Sequence, residues 1–435
     1  MVIGALAFLG LALLPGYYSF DELQWIARGQ DAVLPWQDWL NLSVPQYRPL
    51  TFDLWLALAS LLGGEPLHWH ALWAGFAAIN GWLLYHVGRS FGLQKGTARW
   101  LGLAFLLSPY AVFVHAWVAT LADLLVFQFA AVAVLWLRHP WTGSSARWLD
   151  DVMVVTLLTL LALASKESAI TLPLVLLGAA CRHPHPRRAC FGALVASLWV
   201  GLYLVVRAHT ILDTVDVNGS YGWSIANIPA NALRYVLFVF DLPRFEVHTE
   251  LLRWRSWHVV AGGAALLMLT TAFKRGWRWG IALLVAIVLP GPVLILDTIA
   301  NQYAYLASAA VCVLLALVAV DGGRNTRRIV LALALLAAIH GVWLGVRMAR
   351  VGEVQQNLYA DVLGRLAAGA VTPLRIASVR EGDRWLPQRL LHQVPSYRGV
   401  ALAGVVVVTA NAEDADYLMR HDGHLQAPDQ PARLK

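Results

Sequence analysis

Apolar runs recur along most of this chain, near 1–16, 66–88, 99–116, 119–137, 152–165, 168–181, 190–206, 257–273, 279–296, 303–320 and 328–347. A helix needs about 20 such residues to cross a bilayer core, so the pattern predicts about eleven transmembrane helices. Two runs, 152–165 and 168–181, are short and meet at "ASKESAI". The opening run lacks a basic start and a small-residue cleavage site, so it reads as a signal anchor or as a first helix extended past Pro15. Two long intervals, 17–65 and 207–256, are studded with aromatics. They hold "TFDLWLALASLLGG" and "NALRYVLFVFDLP", which are too short to span and read as interfacial or re-entrant helices.

Near residue 350 the period changes. "RVGEVQQNLYADVLGRLAAGA" is amphipathic and helical, whereas "LRIASVREG" and "GVVVVTA" are strand-length, β-branched and bounded by turn residues. The predicted fold is therefore an all-α polytopic membrane domain over 1–349, followed by a small α/β unit over 350–435.

Composition strengthens the membrane reading: 59% of the 435 residues are hydrophobic and 14% charged, against about a quarter charged in soluble domains. The net charge of +7 does not point to nucleic acid, because no basic run is interleaved with aromatics on a soluble domain. Instead the basic residues assign sides. Arg89, Lys95 and Arg99, then Arg138 and Arg147, Arg182, Arg187 and Arg188, Lys274, Arg275 and Arg278, and Arg324, Arg327 and Arg328 all follow alternate runs. The positive-inside rule makes that side cytoplasmic. It predicts an inner-membrane protein with a cytoplasmic N-terminus, intervals 17–65 and 207–256 outside, and a periplasmic C-terminal unit.

On the outer side stand charges that hydrophobicity disfavours. Asp21 and Glu22 are consecutive in "YYSFDELQWIARGQD", so on a helix they diverge by about 100° and only one aims squarely into a shared cleft. Arg48, Asp123 near His115, Lys166 with Glu167, and Arg207 at the end of its run complete the set. Ionisable groups near membrane depth mark function or mutual pairing. Cys181, Cys190 and Cys312 match no metal or disulfide framework. His68 and His70, two apart, share no helical face, so no metal site is predicted. "NGS" at 218–220 fits a glycosylation acceptor pattern that nothing else here supports.

Taken in order, several segments resemble the GT-C membrane glycosyltransferases, nearest to the protein O-mannosyltransferases and their tetratricopeptide-linked relatives. "FDELQWIARGQD" is similar to that family's first-loop acid pair, and "YRPLTFDLWLALASLLGGEPLHWHALWAGFAAIN" to its "RPL" segment. "LLSPYAVFVHAWVATLADLLVFQFA", "LLALASKESAITLPLVLL", "GLYLVVRAHT" and "IANQYAYLASAAV" resemble four later segments. Asn301-Gln302 stand where the family has Glu-Arg, and Ser108 where it tends to have His.

The resemblance implies transfer of a sugar from a polyprenyl-phosphate donor to an acceptor hydroxyl on a protein, lipid or polysaccharide at the periplasmic face, with inversion. Asp21 would be the general base and Glu22 its partner. Arg207 and Lys166 would hold the donor phosphate, Glu167 would hold Lys166, and Gln302, Tyr303 and Tyr305 would line the lipid-phosphate side. Arg48 would brace the first loop, with His115 and Asp123 in support. No cofactor or metal is required by this scheme, although a divalent cation is compatible with the acid pair. Two other readings stay open at this point: a transporter or flippase of a lipid-linked sugar, and a non-catalytic scaffold subunit of the same architecture.

Overall fold

The computed structural model describes residues 10–31, 34–44, 46–139, 148–180, 186–217, 222, 224–238, 289–297, 300–380 and 384–428. The predicted run 257–273, most of 1–16 and 279–296, the "NGS" triplet and Cys181 lie outside the described residues. Helices α1 (Phe20–Arg28), α2 (Pro49–Leu62), α3 (Pro66–Ser90), α4 (Lys95–Leu106), α5 (Pro109–Ala116), α6 (Leu121–Arg138), α7 (Trp148–Ser165), α8 (Leu172–Ala179) and α9 (Pro186–Val217) build the first part. After α10 (Asn227–Phe238) come α11 (Tyr305–Asp321) and α12 (Arg324–Ala367). Proline opens α2, α3 and α5, where its missing N–H costs nothing.

Among the described residues, Val118–Arg138, Trp148–Ser165, Pro186–Thr210, Asn301–Asp321 and Arg324–Ala367 are long and apolar enough to cross a membrane. The predicted run 99–116 is broken: α4 and α5 meet at 61°. Ser108 is extended there, at φ −67° and ψ 147°, as a residue before proline prefers. Counting that pair as one span makes six. The α3 helix is 25 residues long, but His68, His70 and Asn80 dilute its apolar content. The run 168–181 holds only a 3-10 turn, Glu167–Thr171, and the eight-residue α8, too short to cross alone.

Arg207 does not close its helix, because α9 continues to Val217. Across residue 350 the chain runs on in α12, one 44-residue helix, about 66 Å long at 1.5 Å per residue. It delivers the chain to a sheet of β1 (Leu374–Ser378), β4 (Val406–Val408), β5 (Tyr417–Met419) and β6 (Leu425–Gln426), in the order β4-β1-β5-β6. The strand β1 pairs parallel with both neighbours and β5 antiparallel with β6. Helix α13 (Trp385–Leu391) and the short ribbon of β2 (Ser396–Tyr397) and β3 (Val400–Ala401) complete this unit.

The helical core packs α6 along α7, α7 along α9, and α5 across α12. Its centre includes Trp55, Trp69 and Trp73, each at most 1% exposed, with Trp55 stacked on Trp69 at 4.5 Å. These three are core residues, not an interfacial belt. Trp82, Trp100 and Trp148 are exposed.

Charges sort to the two ends of this bundle. At one end Arg138 donates to the carbonyls of Ala179 at 2.6 Å and Ser90 at 2.7 Å, and Arg188 pairs with Asp151. The ends of α3, α6 and α8 thus meet the starts of α7 and α9. Asp123 and Lys166 lie at the opposite end, where α6 begins and α7 finishes, roughly 25 Å away along α6.

Candidate functional site

The acid pair sits on a turn that is fixed from several sides. Gly16 is left-handed at φ +55° and lies so close to Gly352 of α12 that a methyl on Gly352 would meet the Pro15 carbonyl at 1.7 Å. Next to it, the Tyr17 N–H donates to Gln355 Oε1 at 3.1 Å, and His70 Nε2 lies 2.8 Å from the Gly16 carbonyl oxygen. The Tyr18 ring meets Phe113 and Trp117 edge-on. The chain then enters α1 through Ser19, an extended N-cap whose hydroxyl accepts from the Asp21 N–H at 3.1 Å.

Glu22 closes a capping box. It is 0% exposed and accepts from the N–H groups of Tyr18 and Ser19 at 3.2 and 3.1 Å. Ser19 Oγ lies 2.6 Å from Glu22 Oε2 and 3.0 Å from Asp21 Oδ2. One hydroxyl carries one proton, so it serves one carboxyl at a time, and the shorter contact is to Glu22. Asp21, half-buried, keeps its lone pairs for an incoming donor. Burial raises the Glu22 carboxyl to about 7, with a further push from Asp21; the Ser19 hydrogen bond and the Arg389 charge oppose it.

A second cluster gathers four charges from distant parts of the chain. Lys166 Nζ lies 2.6 Å from both oxygens of Asp123, and Arg48 reaches Glu167 Oε2 at 2.8 Å. This corrects one expectation: Asp123, not Glu167, holds Lys166, and Glu167 accepts from Arg48 instead. The reason is local. Lys166 is extended, at φ −164° and ψ 147°, so its side chain and that of the next residue point to opposite sides. Thr51 Oγ1 adds a bond to the Ser165 carbonyl at 2.9 Å, seating α2 on the end of α7. Meanwhile α1 packs on the 3-10 turn Val118–Thr120, three residues before Asp123. The first-loop helices therefore lie over the ends of α6 and α7, and the acid pair and the charge cluster belong to one end of the molecule.

The remaining predicted residues divide. Tyr303 lies beside the cluster, with Lys166 Nζ 4.9 Å from its ring centroid, and the Gln302 Oε1 is buried. Tyr305 is enclosed. It is 1% exposed, and its hydroxyl is held by Asn80 Nδ2 at 2.8 Å and His115 Nε2 at 2.7 Å. Gln128 continues this chain to Asn80 Oδ1 at 2.9 Å. His115 thus supports Tyr305 and is not bonded to Asp123. Arg207 is 0% exposed. It donates to the carbonyls of Leu42 and Val44 at 3.2 and 2.6 Å and to Tyr203 Oη at 2.7 Å. In this structure it grips the first loop.

Sequence reasoning missed Arg389, on α13, which is buried over the Tyr18 and Trp117 rings. It also missed Gln355 and His70. None of these carries a motif, and each is recruited by chain crossings that only the fold creates. Among the described residues, no group of three or more His, Cys, Asp or Glu is placed to hold a metal ion.

No family model matches this chain, and no curated protein matches it. Among solved structures, it is similar to the crystal structure of ArnT from Cupriavidus metallidurans bound to undecaprenyl phosphate. That match has 13% identity and a TM-score of 0.48, and covers 94% of this chain and 85% of that one.

Proposed function

We propose that this chain is a membrane glycosyltransferase of GT-C type. It would transfer a sugar from a polyprenyl-phosphate carrier to an acceptor hydroxyl at the outer membrane face, with inversion. The observation that carries the reading is the division of labour in the acid pair. Glu22 is buried with both oxygens engaged, while the neighbouring Asp21 is half-buried with acceptor capacity in hand. That pair lies on helices that cover a buried cluster of cations and carboxylates, which suits a reaction that handles both a hydroxyl and a phosphate. The ordered likeness of segments from 17 to 320 to GT-C enzymes supports the same assignment.

In this scheme Asp21 accepts the proton of the attacking hydroxyl, as a carboxylate base does in inverting glycosidases. The leaving group is a phosphate anion, which needs fixed positive charge more than it needs a proton. Lys166 and Arg48 provide that charge, and each is balanced by a carboxylate before the donor arrives. A phosphate entering between Lys166 and Asp123 would share the ammonium with Asp123. Arg207 contributes by keeping the 42–44 segment in place beside Tyr203.

The test is turnover of undecaprenyl-phosphate-linked sugars by the purified full chain in nanodiscs, with a membrane extract supplying the acceptor hydroxyl, read as released undecaprenyl phosphate. The lipid held in the ArnT structure supplies the carrier for this probe. Asp21→Asn is expected to cut release by about 100-fold or more with an unchanged melting profile. Wild-type release from that variant would refute the assignment of Asp21.

A further inference from the structure

The acid pair is gripped from the far end of the sequence. Helix α13 of the sheet-bearing unit places Arg389 against the turn that carries it. Arg389 is 7% exposed, with its guanidinium carbon 4.7 Å from the Tyr18 ring centroid and 5.0 Å from that of Trp117. The two rings meet each other edge-on at 5.6 Å and 73°. Around this contact, the His392 ring packs on Phe20 at 5.3 Å, and Gln24 Nε2 donates to the Gln393 carbonyl at 3.1 Å.

A docking helix needs no charge to fill a gap between two aromatic rings, and a leucine would do so without loss of hydration. Burying a guanidinium is costly unless its charge is answered. Two ring faces answer part of it, and the charge also acts on the Glu22 carboxyl. The groups that act on Glu22 are Asp21 and Ser19 on its own turn and Arg389 from α13. Tyr18 and Tyr17 precede it, and Tyr359 faces it from α12. Of these, Arg389 alone is positive.

We propose that Arg389 is a positioning residue of the acid pair: packed over Tyr18 and Trp117, it holds the Tyr18–Glu22 turn and supplies a positive charge that acts on the Glu22 carboxyl. The pair is then complete only while the C-terminal unit is docked on α1, which gives that unit a role in the reaction beyond contact with an acceptor. This rests on the reading of Asp21 and Glu22 as the reacting pair.

The experiment needs no substrate. The Glu22 carboxyl is titrated by infrared difference spectroscopy in the full-length protein in nanodiscs, its band assigned with Glu22→Gln. Arg389→Met removes the charge and is expected to move the midpoint upward by about half a pH unit or more. Arg389→Lys keeps the charge and is expected to stay near the wild-type midpoint. Arg389→Gln repeats the neutral reading with a polar side chain, should methionine pack poorly. An unmoved midpoint in both neutral variants, or equal shifts in the lysine and neutral variants, would overturn the proposal and leave Arg389 as packing. Retained turnover in Asp21→Asn would instead remove the proposed reaction and leave the infrared result standing, so the two failures are distinguishable.

Discussion

Glu22 shows how one side chain carries both structural and electrostatic weight. Its carboxyl is raised from 4.5 to about 7, chiefly by burial. Between those values the folded state binds a proton that the unfolded chain has released, so stability falls as pH rises through this window and levels off above it. A shift of that size corresponds to about 3 kcal/mol. Thermal melts of the purified protein at pH 5 and pH 8 are expected to show the loss, and Glu22→Gln is expected to flatten it. An equal pH slope in the variant would assign the effect to another group. At this scale the acid pair stood open in the sequence, and only the family resemblance assigned roles within it. The structure adds that Glu22 is 0% exposed while Asp21 is half-buried.

Between elements, the junction of α6, α7 and the 3-10 turn at Glu167 is held by two ion pairs that cross. Lys166 and Asp123 are both nearly buried, at 6% and 7% side-chain exposure, so removing one partner leaves an unanswered charge. Asp123→Ala or Lys166→Ala is expected to destabilise the fold by about 3–5 kcal/mol, and the double replacement by less than the sum of the two. Denaturation of the three variants in one detergent measures the coupling; strictly additive losses would show that the pair is not coupled. The charges themselves were legible as a set, which the fold brings together. Their partners were not, because pairing depends on the extended backbone of Lys166, which no motif announces. The same holds for Tyr305, whose hydroxyl is turned to Asn80 and His115 by the packing of α3, α5 and α11.

For the whole molecule, α12 joins the membrane helices to the sheet and braces the candidate site on the way. Its Gly352 is the point where the chain at Pro15 and Gly16 presses onto the helix. Gly352→Ala would force those backbones apart, with an expected loss of about 2–3 kcal/mol and faster amide exchange over residues 17–24. Unchanged exchange in that segment would show that the crossing does not position the acid pair. Arg389 acts from the other side, so the turn that bears Asp21 is held between the N-terminal half of the chain, α12 and the C-terminal unit.

Hydrophobic runs, basic loops and β-branched stretches are local properties, set by how each segment meets lipid, water or the cytoplasmic surface. From them alone the sequence determined the polytopic helical class and the strand-bearing C-terminal segment, and set out the acid pair. Which runs break, as at Pro109, which charges pair, and which residues close around Asp21 depend on contacts between segments up to several hundred residues apart. Only the tertiary structure decided those, because a buried charge or hydroxyl takes whichever partner the packing of helices brings within hydrogen-bond reach.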